Sequence, residues 1–242
     1  CKLRAIRTMD LFFSTLAEGG GGIPEGFVVT LPKVTIPEQV TACADILDLL
    51  ERNLELAPGS IRLELRVETN PAIIGVNGSL PLPLLVKAGR GRVVGAHFGT
   101  YDYTAACQIT AAHQEMDHMA CDFARHVMKV SLANRPIFLS DGATNVMPVG
   151  DTETVHNAWR LAYRHIMHSL RNGFYQGWDL HPAQLPVRYA ACYHFFLSGL
   201  DMATDRLRTF IDKAAQATLL GDVFDDAATG QGLLNYFLRA LN

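Results

Sequence analysis

An α/β fold built on a parallel sheet is what this sequence predicts, and three observations predict it. Short apolar, β-branched runs alternate with longer segments of helical period. The 242 residues, 49% of them hydrophobic and 19% charged, suit one large globular domain with a sizeable core and exclude a disordered chain. The run IRLELRVET from Ile61 puts Arg62, Glu64, Arg66 and Glu68 on one face and Leu63, Leu65 and Val67 on the other. A parallel sheet covered by helices has no solvent face, so those charges have to pair inside a closed barrel. The expectation is therefore a (β/α)8 TIM barrel rather than a doubly wound sheet.

Taken in order, the first run is FVVTLPKV from Phe27. It follows a glycine-rich loop, Gly19 to Gly22, that lacks the Lys-Ser/Thr ending of a phosphate loop and precedes a strand. A helix over 37–56 opens with Pro37, whose fixed φ suits a first turn. The Ile61 run comes next, then helical segments over 71–76 and near 82–88, the second within a Pro/Gly-rich stretch from Gly78 to Gly91. VVGAHFGT from Val93 leads into a helix over 101–132, PIFLSDGA from Pro136 into a helix over 152–172, and a shorter fifth run is GWDLH from Gly177. After Pro186 the pattern is helical, a C-terminal helical extension over about 186–242 within a single barrel-type domain spanning 1–242. Five runs are fewer than eight strands, so the first three are expected to precede Cys1. The amphipathic opening LRAIRTMDLFFSTLA fits a start in the middle of a longer chain.

Composition narrows the function classes. Twenty-one Lys and Arg against 24 Asp and Glu give a net charge of -3 without a basic run, which argues against nucleic acid. No apolar stretch approaches the roughly 20 residues that span a bilayer, and no signal peptide is evident, so no membrane is expected. The five cysteines are scattered and free of CxxC spacing, which points to a reducing, cytoplasmic setting.

In parallel α/β folds reactive groups sit at the carboxyl ends of strands. That selects Lys33, Glu68, Asn70, His97, Asp102, Asp141, Asp179 and His181. Glu68 and Asp102, two carboxylates from adjacent strands, suit a hard divalent cation such as Mg2+ that keeps waters and takes further oxygens from substrate. The competing reading is that Glu68 forms a structural ion pair with Arg66 or Lys33. His165 and His168 are spaced for a shared metal but lack an evident acidic partner, and read as a polar helix face. Asp117 with His118, and Asp222, Asp225 and Asp226, read as solvated charges. Ser140 lacks a G-x-S-x-G context.

Four ordered stretches resemble one family. TLPKVTIPEQV from Thr30 is similar to an LPKV-x-x-P-E-x-V signature, RVETNPAI from Arg66 to a strand ending in a metal-ligand glutamate, FGTYDYT from Phe98 to an FG-x-x-D-[FY] turn, and GFYQGWDLHPAQL from Gly173 to a GF-x-GK-x-x-IHP-x-Q segment. Together they resemble the citrate lyase beta-subunit-like branch of the HpcH/HpaI aldolase superfamily. That resemblance implies a (β/α)8 barrel that binds Mg2+, with Mn2+ as a substitute. It also implies carbon–carbon bond cleavage or condensation on an oxoacid, hydroxyacid or acyl-CoA through a metal-stabilised enolate, in a homo-oligomeric trimer or hexamer. Glu68 and Asp102 fall on the metal ligands. Gly99, Thr100 and Lys33 are the expected substrate-binding positions, and His97 and Asp141 are the strand-end candidates for catalytic proton transfer.

The departures bear on substrate. The family's second aspartate is Ala106 here, and its Gly-Lys pair is Gln176-Gly177, so CoA use does not follow from the resemblance. The family's substrate-binding arginine is expected before Cys1, since Arg4 and Arg7 stand in a helical context. Two alternatives stand beside the lyase: thioester hydrolysis on the same metal site, and a non-catalytic metabolite-binding barrel.

Overall fold

The computed structural model describes residues 2–19, 23–214 and 227–241. Gly20 to Gly22 of the glycine-rich loop and Asp222, Asp225 and Asp226 lie outside the described residues. The chain divides into two compact units, one of residues 1–143 and 176–178 and one of residues 144–175 and 179–242.

The first unit is an α/β unit. It contains α1 (Lys2–Glu18), β1 (Val28–Leu31), α2 (Pro37–Asn53), β2 (Arg62–Val67), α3 (Asn70–Ile73), α4 (Leu82–Ala88), β3 (Val93–Phe98), α5 (Thr100–Ala106), α6 (Met119–Leu132), β4 (Phe138–Asp141) and β5 (Gln176–Gly177). The five strands form one parallel sheet in the order β1-β2-β3-β4-β5. Consecutive parallel neighbours are what helical crossovers on one side of a sheet produce.

The alternation of β2 decides which face does what. Leu63, Leu65 and Val67 are buried in a core with Val40 and Leu47 of α2, Leu85 of α4, Ala96 and Phe98 of β3, and Met128 of α6. The other face carries the charges, and they find partners. Glu64 pairs with His97 Nε2 of β3 and accepts from Thr30 Oγ1 of β1 at 3.3 Å, while Arg66 lies beside Glu68. Arg62, exposed at the strand start, donates to the Gly91 carbonyl at 3.1 Å.

Helix starts follow local chemistry. Pro37 opens α2, and the Gln39 side chain accepts from the Thr35 and Ile36 amides at 2.7 and 3.2 Å. His118 caps α6 by accepting from the Ala120 amide at 3.1 Å. The expected helix over 101–132 is broken. Gln108 takes a left-handed conformation (φ 60°), a 3-10 turn covers Ala111–His113, and the helix resumes only at Met119. The fifth run is also shorter than expected, because only Gln176 and Gly177 pair with β4. Trp178 then donates its amide to the Gly142 carbonyl at 3.4 Å and leaves the sheet.

The second unit contains α7 (Thr152–Arg171), α8 (Leu185–Ala214) and α9 (Ala227–Leu241). Asp151 caps α7 by accepting from the Thr154 amide at 2.8 Å. Ile166, Met167, Leu170 and Ala191 form its buried apolar cluster. His165 departs from the expected polar helix face: it is buried, with Nδ1 3.0 Å from Thr144 Oγ1. His181 fixes the loop before α8, its Nδ1 accepting from the Ala183 amide at 3.1 Å, and Asp179 pairs with Arg188 at 2.5 Å. Among the described residues no helix is long and apolar enough to cross a membrane.

Candidate functional site

Three chain segments converge at the carboxyl ends of β1, β2 and β3. Lys33 follows β1, Glu68 follows β2, and Gly99, Thr100 and Asp102 follow β3. Lys33 adopts a left-handed backbone (φ 52°), a conformation that costs an L residue about 1–2 kcal/mol. Its amide donates to Glu68 Oε1 at 2.9 Å, and its ammonium pairs with Asp102 Oδ1. One residue thus ties both acidic side chains to the end of β1.

Gly99 has a different reason to be glycine. Its φ of -109° is open to any residue, but a Cβ there would stand 2.5 Å from Glu68 Cβ and 2.7 Å from Glu68 Oε2. The Glu68 side chain lies across the bare Cα. Thr69 closes the other side, donating to the Val34 carbonyl at 2.6 Å.

The electrostatics are those of two carboxylates pressed together. Burial pushes the Glu68 carboxyl above the usual carboxylate range; the Lys33 amide and the Arg66 charge oppose this, and the hydrogen bond and charge of Asp102 reinforce it. Asp102, half-exposed, is held below the usual range, first by the Lys33 ammonium and then by Glu68 and Arg66. Glu68 Oε2 is buried and accepts no hydrogen bond among the described residues. Arg66 Nε stands 2.8 Å away without its N–H aimed at the oxygen. Arg66 thus supplies the ion pair that the competing reading expects, yet a buried carboxylate oxygen without a hydrogen bond beside a second carboxylate is still a donor set that fits a hard divalent cation. Glu68 and Asp102 would hold it, beside the exposed Lys33 ammonium that pairs with Asp102.

The other expected positions are placed nearby with different partners. His97 lies on the same sheet face but is bonded to Glu64, with its ring 4.8 Å from that of Trp178, and its buried Nδ1 has no hydrogen-bond partner among the described residues. Asp141 is buried in an ion pair: both oxygens accept from Arg125 Nη1, at 3.0 and 2.9 Å, and Oδ1 also accepts from the Gly142 amide at 2.8 Å. Thr100 Oγ1 is buried without a hydrogen-bond partner among the described residues. It would stand 2.8 Å from a Cβ at Gly142. Asn70 donates to the Ala106 carbonyl at 3.2 Å.

Two residues at or beside the site, Arg125 and Trp178, carry no functional expectation from sequence. Arg125 sits on the buried side of α6 among Cys121, Ala124 and Met128, and a charge on that apolar face was the available signal. Trp178, with the Arg66 guanidinium 5.1 Å from its ring centroid, carried no spacing signal at all. Arg66 was visible only as an ion-pair partner.

The family described as a domain of unknown function, DUF6986, matches residues 1–242. The chain belongs to the DUF6986 family. No curated protein matches it. Among solved structures, this DUF6986 chain is similar to a citrate lyase from Burkholderia xenovorans LB400, with 18% identity and a TM-score of 0.67 over 88% of this chain and 63% of that one. A malate synthase from Haloferax volcanii, in a pyruvate/acetyl-CoA ternary complex, shows 15% identity and a TM-score of 0.51 over 85% of this chain and 60% of that one. The magnesium/glyoxylate complex of that malate synthase matches at 16% identity and a TM-score of 0.50, over 84% and 49%. The DUF6986 chain thus spans less than two thirds of each of these proteins. At such identities the likeness is one of fold, and it fits a TIM-barrel-like arrangement of the parallel sheet.

Proposed function

We propose that this chain carries the metal site of a Mg2+-dependent carbon–carbon lyase of the citrate lyase beta-like type, acting on a small carboxylate-bearing substrate. The five strands are then an arc of a (β/α)8 barrel. The observation that carries the reading is the meeting of Glu68 and Asp102 beside the bare Cα of Gly99, which Glu68 crosses, with a buried Glu68 oxygen that has no hydrogen-bond partner among the described residues. The fold likeness to a citrate lyase, and to a malate synthase solved with magnesium and glyoxylate, supports it.

A bound Mg2+ supplies Lewis-acid polarisation of a substrate carbonyl oxygen, worth several kcal/mol of transition-state stabilisation. The chain's own groups do the rest. Glu68, fixed by the Lys33 amide and the Gly99 surface, is held beside Asp102. Lys33 holds Asp102 in an ion pair, and its exposed ammonium is a charge that would favour a negatively charged substrate beside the two carboxylates. Thr100, at the start of α5 behind Gly99, is assigned to the substrate side of the site, where its buried Oγ1 keeps a hydrogen-bond donor without a protein partner among the described residues. We assign proton transfer to His97, whose Nδ1 is unengaged and whose Nε2 is oriented by Glu64. Asp141 acts through Gly142, holding the β4 end in place.

The test is direct. Glu68→Gln and Asp102→Asn each abolish binding of Mn2+, followed by electron paramagnetic resonance, together with Mg2+-dependent turnover. Full activity in either variant excludes the assignment. Release of an oxoacid with a shortened partner identifies a lyase; free thiol alone identifies a thioester hydrolase, and ligand-induced stabilisation without turnover a binding protein.

A further inference from the structure

Arg66 projects from β2 on the same sheet face as Glu64, opposite His97 in the β2–β3 register. Two contacts fix its guanidinium. Nε lies 2.8 Å from Glu68 Oε2, and the guanidinium carbon stands 5.1 Å from the centroid of the Trp178 ring. Trp178 is itself held, its amide donating to the Gly142 carbonyl and its ring lying 4.8 Å from that of His97. Neither contact uses the Nη1–Nη2 edge. Among the described residues that edge has no protein partner, although the side chain is only about one-third exposed (36%). A guanidinium stacked on an aromatic ring, with Nε beside a carboxylate and its fork open, has less rotamer freedom to lose when a ligand arrives, and its two parallel N–H donors match a carboxylate.

We propose that Arg66, seated on Trp178, receives a free carboxylate of the substrate through its Nη1–Nη2 edge, so that the site selects a small carboxylate over a neutral thioester end. This deepens the metal-site reading and rests on it for the identity of the ligand as substrate. The arginine is distinct from the one expected before Cys1, and it reaches the site from the strand that carries Glu68. The rival role is confined to neutralising Glu68, for which any cation at this position would serve.

Trp178 is one of only two tryptophans, so a Trp159→Phe background makes its emission report on the site. The probe is oxalate, titrated with EDTA present and again with Mg2+, alongside acetamide as the neutral control. Oxalate is expected to change Trp178 emission saturably, and acetamide to leave it unchanged. Arg66→Gln is expected to weaken oxalate by roughly tenfold or more, and Arg66→Lys to weaken it as well, because an ammonium lacks the fork. Oxalate affinity that is unaltered in Arg66→Gln overturns the proposal, and so does wild-type affinity in Arg66→Lys, which keeps the charge against Glu68 should the Gln variant fail to fold. Mn2+ binding separates the two readings. Arg66-dependent oxalate binding in EDTA, in a protein that takes up no Mn2+, sinks the metal site and leaves the carboxylate site standing. Mn2+ uptake with Arg66-independent oxalate binding does the reverse.

Discussion

Glu68 keeps its position because the residue beneath it has no side chain, and that places a specific demand on Gly99. Alanine there satisfies the backbone but brings a Cβ within 2.5 Å of Glu68 Cβ, closer than packed carbons tolerate. The carboxylate has to swing away, since the opposing atoms belong to the ordered start of that side chain. Gly99→Ala is expected to destabilise the fold by about 1–3 kcal/mol and to weaken Mn2+ binding together with it. Thermal melting and a Mn2+ titration check both, and unchanged Mn2+ affinity would show that Glu68 is not a ligand. Asp141 calls for the opposite expectation. With Arg125 and Asp141 both buried, Asp141→Asn is expected to lower stability by on the order of 3 kcal/mol, because a buried guanidinium loses its bidentate partner. A variant that melts like wild type but has lost turnover would restore Asp141 as a catalytic base. That Lys33, Glu68 and Asp102 come together was legible in sequence, because neighbouring strands of a parallel sheet bring their carboxyl ends side by side. The engagement of Asp141 was not legible, because its partner arrives from α6, 16 positions back in the chain.

Each element that holds the site depends on contacts at the far end of the sheet as well. There α2 is fastened to the starts of β2 and β3 through Glu51, which accepts from the Gly59 and Ile61 amides at 2.8 Å each and from Arg92 at 2.6 and 2.5 Å. Burial works to raise the Glu51 carboxyl, but Arg92 and the two amides outweigh it and hold the group below the usual range. A folded value below the unfolded one means stability that is fully present above the unfolded value and lost as pH falls through the folded one. The melting temperature is therefore expected to drop as pH is taken below about 4. Glu51→Gln should cost about 3–5 kcal/mol at neutral pH and flatten that acid limb. An unchanged limb in the variant would assign acid sensitivity elsewhere. The elements themselves were largely legible: apolar period placed β1 to β4, and Pro37 placed the start of α2. The stretch between Ala106 and Met119 was not, because its residues are individually compatible with helix while Gln108 turns left-handed where the chain leaves α5. β5 is shorter than its run predicts for a related reason, since Trp178 has the strand-forming character of that run but turns out of the sheet to stack with Arg66 and His97.

At the scale of the molecule, the two units differ in how they bury apolar surface, and that difference sets which part opens first. The first unit encloses Leu47, Leu63, Leu65, Leu85, Phe98 and Met128 in one continuous core between sheet and helices. Burying a side chain of that kind contributes about 1.5–3 kcal/mol, and the strands that contribute them are bonded on both sides. The second unit has a small buried cluster around Ile166 and Leu170, while Leu185, Tyr189, Tyr193 and Leu197 of α8 stand exposed along one helix face. Local opening free energy follows buried contact density, so backbone amides of β2 and β3 are expected to exchange with solvent only on global unfolding, and those of α8 and α9 through smaller openings. Hydrogen exchange read by mass spectrometry should show the α8 and α9 peptides losing protection at denaturant concentrations that leave β2 and β3 protected. Equal protection across the four elements would mean that the chain unfolds as one cooperative body. The ordering matters for function because Glu68 and Asp102 follow β2 and β3, the strands expected to be most protected, so openings confined to α8 and α9 are expected to leave the spacing of the two carboxylates unchanged.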